Sequence, residues 1–208
     1  MSLLVLQGAV EQGFIYALVA LGLYISFRTL DIADLTTDGT FTLGAAVSAV
    51  FTVQGQPLLG VVLAFFCGAL AGFVTALLQT KLGVQPILAG IITMTALYSV
   101  NLMVMGKPNI NFFKEKTIFT AAEAMPGGFG SLLQAAAITA VLCVLLVLFL
   151  RTQLGLSLRA TGDNRDMVSA SSINPAFTTT VGLCLSNAVV ALSGALIAQY
   201  QKFADNTL

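Results

Sequence analysis

The chain of 208 residues is 57% hydrophobic and 9% charged, with nine basic and nine acidic side chains and no histidine. A soluble domain carries about 25% charged residues, so this composition belongs in a lipid bilayer, and zero net charge leaves no basic field for nucleic acid. Without histidine, and with Cys67, Cys143 and Cys184 dispersed in apolar runs as small packing residues, zinc motifs and Ser/His/Asp or Cys/His catalysis are excluded.

Taken in order, apolar windows of spanning length fall at Leu3–Phe27, Thr29–Val53, Pro57–Gln79, Pro86–Met105, Ser131–Leu150 and Phe177–Gln199. They predict an all-α fold: a polytopic transmembrane helix bundle of six segments in one domain spanning residues 1–208. The opening MSLLVLQGAVEQG has no positive region and no small-residue cleavage site, so it reads as a retained first helix. Pro57, Pro86 and Pro175 stand at or just before the start of a run, where a missing N–H costs nothing. Gly68-Ala-Leu-Ala-Gly72 offers a small-xxx-small surface for close helix approach.

The second crossing is unusual. It carries Asp31, Asp34 and Asp38, which on a helix form one stripe of one face. Asp38-Gly39 predicts a break, with a helix restarting near Thr40 and presenting free N–H groups inside the bundle. Two readings stand side by side: a solvated turn in which Arg28 partly neutralises Asp31, or a solute path bordered by Asp31, Asp34, Asp38, Gly39 and Thr40. On the second reading a zwitterion passes with its ammonium near Asp38 and its carboxylate near Thr40, and Tyr98 and Asn101 in the fourth segment face the same path.

The polar interval Arg151–Ala176 holds a short helix predicted to begin near Asn164, capped by Asp163, with Asp166 in its first turn and Asn174-Pro175 ending it. It exposes Met167, Val168 and Ala170 among polar neighbours, as either an interfacial amphipathic helix or a docking knob. With the N-terminus outside, five of the nine basic residues lie inside, a lean that puts this interval in the cytosol. An internal echo at one constant offset relates Ala17-Leu-Val-Ala-Leu-Gly and Ala33-Asp34 to Ala188-Val-Val-Ala-Leu-Ser and Ala204-Asp205. A duplication on that offset places the start of a second Asp-rich crossing at Leu208, so the domain is expected to be incomplete at its C-terminus.

No GxxxxGK[ST] motif is present, since the one Gly-Lys, Gly106-Lys107, runs into Pro108. The chain therefore does not bind ATP by a P-loop, and no cofactor is expected. Two membrane aspartates on facing helices would suit an intramembrane protease, but here the aspartates cluster in one stretch. The expectation is a non-enzyme.

The pattern Leu158-Arg-Ala-x-Gly162-Asp-Asn, followed by Met167, Ala170 and Ile173 and then an apolar helix, resembles the cytoplasmic coupling loop of ABC importer permeases. Tyr16-Ala-Leu-Val-Ala-Leu-Gly, Asp34–Ala46, Leu88–Ser99 and Ala191–Tyr200 resemble the branched-chain amino-acid and ribose permease superfamily, nearest its uncharacterised or tryptophan/tyrosine-type group. The resemblance runs almost end to end, departing at Ser172 and Lys202, where the family carries glycine. It implies the permease subunit of an importer in the bacterial inner membrane, surrounded by lipid and passing a small, amino-acid-like solute. The implied partners are a separate ATP-binding cassette ATPase, a second permease copy and an external substrate-binding protein. On this resemblance Arg159, Gly162, Asp163, Asn164, Met167, Val168, Ala170 and Ile173 form the ATPase-coupling surface. The competing class is a cation- or proton-coupled carrier working through Glu11, Asp31, Asp34 and Asp38.

Overall fold

The computed structural model describes residues 3–120 and 130–206. Its helices are α1 (Leu3–Leu23), continued by a π-helical turn at Tyr24–Thr29, α2 (Thr36–Val53), α3 (Pro57–Thr80), α4 (Pro86–Met105), α5 (Gly130–Leu150), α6 (Gln153–Asp163), α7 (Arg165–Ala170) and α8 (Pro175–Gln201). Two three-residue strands, β1 (Asn109–Asn111) and β2 (Phe203–Asp205), pair antiparallel and fold the segment after α4 back onto the end of α8. Pro57, Pro86 and Pro175 open α3, α4 and α8 as their positions predict. Among the described residues five helices are long and apolar enough to span a bilayer: α1 with its π turn, α3, α4, α5 and α8. The sixth, α2, is shorter, more polar and almost wholly buried.

Helix α8 is the axis of the bundle, with 78% of its apolar window buried against 11% for α5. It packs on α2, α3 and α1. Lipid is as apolar as leucine, so helices in a bilayer associate through close packing and internal hydrogen bonds, which favours small residues at contacts. Gly44 of α2 lies against the Ala191 carbonyl and Gly194 of α8 against the Phe41 carbonyl, so a Cβ at either position would strike backbone. Gly68 and Gly72 of α3 face the carbonyls of Asn187 and Leu183 in the same way, giving the small-xxx-small surface its partner.

The second crossing is interrupted, but not where Asp38-Gly39 pointed. Helix α2 runs unbroken through both residues, and the interruption lies at residues 30–35. Asp31 adopts a left-handed conformation (φ 54°), which removes it from any helical stripe with Asp34 and Asp38. Inside a membrane the backbone of such a break must be satisfied by protein. Ser26 does this: the Ile32 N–H donates to the Ser26 carbonyl (3.0 Å), and Ser26 Oγ donates to the Ile32 carbonyl (2.8 Å). The sequence signal was sound for a break and misplaced it, because Asp34 caps the helix from outside and Gly39 serves packing, with Leu97 Cβ 3.1 Å from where its own Cβ would lie.

The internal echo has a structural counterpart. Helices α1 and α8 run antiparallel, with Ser186 Oγ donating to the Gly22 carbonyl and Ser193 Oγ to the Ile15 carbonyl, both at 2.7 Å. The offset relating the two sequence copies exchanges those two contact pairs. It also superposes Asp31 on Lys202, and both are left-handed (φ 54° and 56°).

Ser172 is left-handed too (φ 62°), so both departures from the family's glycines fall where a side chain is strained. Ser172→Gly should raise stability by about 0.5–1 kcal/mol, whereas Ser172→Val should lower it. Thermal unfolding of the full-length protein in detergent checks this, with Tm ordered Gly above Ser above Val.

Candidate functional site

Two polar features flank α2, on opposite sides. The first is a closed network at its buried start. Asp34 is only 1% exposed. Its Oδ1 accepts the Thr36 N–H (2.9 Å), which caps α2, and its Oδ2 accepts from Asn187 Nδ2 (2.7 Å) on α8. Asn187 Nδ2 also reaches the Leu183 carbonyl (3.0 Å), which fixes the amide so that its oxygen faces Thr40. Thr40 Oγ1 lies 2.7 Å from both that oxygen and the Thr36 carbonyl, and one hydroxyl proton is shared between the two acceptors. Thr36 Oγ1 meets Thr75 Oγ1 of α3 at 2.9 Å. Both Asp34 oxygens are thus occupied by protein donors. Thr40 is a core residue inside a continuous helix, so the expected free N–H groups near it, and a solute carboxylate held there, are not supported by the geometry.

The second feature is an open cavity of about 380 Å³ between α2 and α4. Asp38, Gly39, Tyr98 and Asn101, four residues read as neighbours in sequence analysis, line it together with Thr42, Met94, Thr95 and Asn206. Asp38 is exposed within it, one helical turn from the capped start of α2. Asn101 Nδ2 donates to the Gly39 carbonyl (3.3 Å), and Asn206 Nδ2 to the Tyr98 carbonyl (3.5 Å). The structure therefore brings Asp38, Gly39, Tyr98 and Asn101 together, and sets Asp34 and Thr40 in the core and Asp31 on the exposed turn.

At the other end of the bundle Glu11 is also buried and saturated. Its carboxylate accepts from Gln7 (3.0 Å), Ser131 (2.7 Å) and Tyr200 (2.7 Å), tying α1 to α5 and α8. Sequence reading passed over Asn187 and Asn206. A lone asparagine in the apolar run of α8 was a usable signal, because polar side chains in membrane helices need partners; Asn206 lies beyond the last apolar window and gave none.

The interval Arg151–Ala176 forms α6 and α7 at the end of the bundle where α1 finishes and α8 begins. The cap of α7 is Asn164, whose Oδ1 accepts the Met167 N–H (3.0 Å); Asp163 is the last residue of α6. An extended backbone at Asn164 (φ −159°) separates the two helices, a conformation that frees its side chain to reach forward. Asn174 caps α8 in the same way through the Ala176 N–H (3.0 Å). Met167 is 61% exposed, with Arg159, Asp163, Asn164 and Ala170 also exposed and Ile173 partly so. Val168, expected on the surface, is 2% exposed, because a six-residue helix lying on the bundle must turn one side inward to be held there. Gly162 rests on the Thr29 carbonyl, Leu158 packs on Gly182 and Leu30, and Thr161 Oγ1 meets Thr178 Oγ1 (2.8 Å). These contacts join α6 to the π turn just before the interrupted segment.

Residues 5–207 match the family described as branched-chain amino acid transport system / permease component. The chain is 38% identical over 195 residues to the tyrosine transport system permease protein of Clostridioides difficile, covering 93% of this chain and 64% of that one. It is 35% identical over 201 residues to the uncharacterized protein RP368 of Rickettsia prowazekii, covering 97% and 70%. To the galactofuranose transporter permease protein YtfT of Escherichia coli it is 29% identical over 194 residues, covering 91% and 54%. It thus spans between 54% and 70% of the length of these relatives. No solved structure gives a significant match. With a helical bundle fit for a membrane, a short helical unit at one end and a polar cavity beside its interrupted crossing, the chain belongs to the branched-chain amino acid permease family.

Proposed function

We propose that the chain is the permease subunit of an ATP-driven importer in the bacterial inner membrane, passing a small amino-acid-like solute along the face of α2 and α4. A separate ATPase seats on α6–α7, a second permease copy completes the path, and an external binding protein delivers the solute. The observation that carries this reading is the α6–α7 unit: an exposed Met167 set on a helix that Val168 anchors and Asn164 caps. The tyrosine transport function named for the Clostridioides relative supports the solute class. That both oxygens of Asp34 and of Glu11 already accept from protein donors argues against their use as ion-coupling groups.

The contacts suggest how force travels. A displacement of α7 by the ATPase moves α6, and Gly162, seated on the Thr29 carbonyl, presses the π turn. The interrupted segment at residues 30–35 then lets α2 shift as a unit, which changes the cavity wall carrying Asp38. A π turn is a natural place for such compliance, being a local distortion frequent at functional sites.

Reconstituted full-length permease should take up solute only with ATP, the ATPase and the binding protein present. Uptake by the permease alone under a sodium or proton gradient would overturn the reading in favour of a coupled carrier.

Met167→Glu should weaken ATPase binding by about tenfold, since it puts a charge into an apolar contact, while Gly162→Leu should leave binding intact and abolish ATP-driven uptake. Pull-down and uptake measured side by side distinguish the two. Val168→Glu, by contrast, should lower Tm, because it buries a charge within the permease itself.

Asp34 and Asp38 should separate cleanly. Asp34→Asn sets an amide against the Asn187 amide and should cost about 1–3 kcal/mol of stability, restored in part by the swap Asp34→Asn with Asn187→Asp. Asp38→Asn should leave Tm unchanged and reduce uptake. Thermal unfolding and transport assays on the same preparations report both.

A further inference from the structure

The cavity between α2 and α4 holds a set of acceptors with no cation to answer them. Its lining contains the Asp38 carboxylate, and no Lys or Arg. Asn101 and Asn206, 1% and 5% exposed, line the same cavity, and among the described residues the Oδ1 of each has no hydrogen-bond partner. The orientation of each amide is set by chemistry: its Nδ2 faces a backbone carbonyl, of Gly39 for Asn101 and of Tyr98 for Asn206, and a carbonyl only accepts. Flipping either side chain would put two oxygens together. Among the described residues, then, two buried amide oxygens on residues of this lining are left without a donor, and buried polar groups in proteins are almost always satisfied. Both oxygens are shut off from solvent, and the Asn206 amide is held by a contact of 3.5 Å, at the limit of a hydrogen bond. The terminal torsion of asparagine is soft, so a donor entering the cavity draws that oxygen forward. The Tyr98 ring, half exposed at the cavity wall, adds an electron-rich face suited to a cation.

We propose that this cavity is an ammonium socket: it recognises the primary amine end of the solute through Asp38, Asn101, Asn206 and Tyr98, and makes no charged contact with a carboxylate. The proposal rests on the assignment of the α2–α4 face to the solute path, and narrows it to one-ended recognition. An ammonium brings three donors and a positive charge, matching one carboxylate and two amide oxygens. A carboxylate would meet Asp38 with no compensating positive side chain in the lining, and Thr40, deep in the helix, offers it nothing. An amine that lacks a carboxylate should bind as well as the amino acid that contains it.

Saturation-transfer NMR on the full-length permease in lipid nanodiscs tests this with three probes: L-tyrosine, tyramine, and 3-(4-hydroxyphenyl)propionate, which lacks the amine. Tyramine and tyrosine should both give transfer with dissociation constants within about threefold of each other, and the acid should give none. Asp38→Asn should weaken tyramine about tenfold and Asn206→Leu about threefold, the first removing the opposite charge and the second one hydrogen bond from the ammonium. Tm measured on each variant shows that it is folded, and Asn101→Leu serves as a second amide variant if Asn206→Leu is not. Equal transfer from the acid, no transfer from tyramine, or tyramine binding indifferent to both Asp38→Asn and the folded amide variant would overturn the proposal. ATP-driven uptake assayed on the same wild-type preparation judges the importer reading separately, so loss of amine selectivity with ATP-dependent uptake intact would sink this inference alone.

Discussion

The bundle depends on how one buried carboxylate is satisfied. Asp34 sits at the join between an interrupted segment and α2, where lipid offers no water to solvate either the charge or the loose backbone. One of its oxygens closes the start of α2 and the other takes the amide of Asn187 from the central helix. Removing either partner would leave a polar group bare in the core, which is why the threonines of α2 and α3 join the network instead of facing lipid. The break in the chain and the polar network are two sides of one solution: α2 can begin inside the membrane only because α8 supplies what its first turn lacks.

From that anchor α2 runs parallel to α8, with Thr40 meeting Asn187 and Ser48 meeting Ala195 at the same spacing. Glycines on both helices let the backbones touch, so the α2–α8 pair is rigid where it is in contact. The opposite side of α2 faces α4 across the cavity that holds Asp38. One helix therefore carries the core network on one side and the polar cavity on the other. The contact of Gly162 with Thr29 joins the α6–α7 unit to the segment that leads into α2.

The partition of polar groups also bears on mechanism. Asp34 and Glu11 are acidic, membrane-embedded and fully bonded, which makes them ties between helices: Glu11 joins α1, α5 and α8 much as Asp34 joins α2 and α8. Asp38, Asn101 and Asn206 are polar and incompletely bonded, and they share one cavity. Burial of a carboxylate alone does not mark it for transport, since a buried carboxylate that accepts from several protein donors can serve as a tie between helices.

The sequence by itself determined the class of fold, six apolar segments that each hold a long helix, and the proline-marked starts of α3, α4 and α8, because hydropathy over a bilayer's thickness is a local property of about 20 residues. It also determined that the second crossing is interrupted, and it grouped Asp38 and Gly39 with Tyr98 and Asn101. Only the tertiary structure decided which helix is central. The most apolar span, α5, is the least buried, and α8 wins its place through small residues whose worth depends on a partner's backbone. The same holds for individual side chains. Val168 turns inward and Met167 outward because a short helix is oriented by what it lies on. Asp34 and Asp38, four residues apart, differ because α8 brings an amide to one and α4 leaves a cavity beside the other, and those neighbours come from residues more than 50 positions away in the chain.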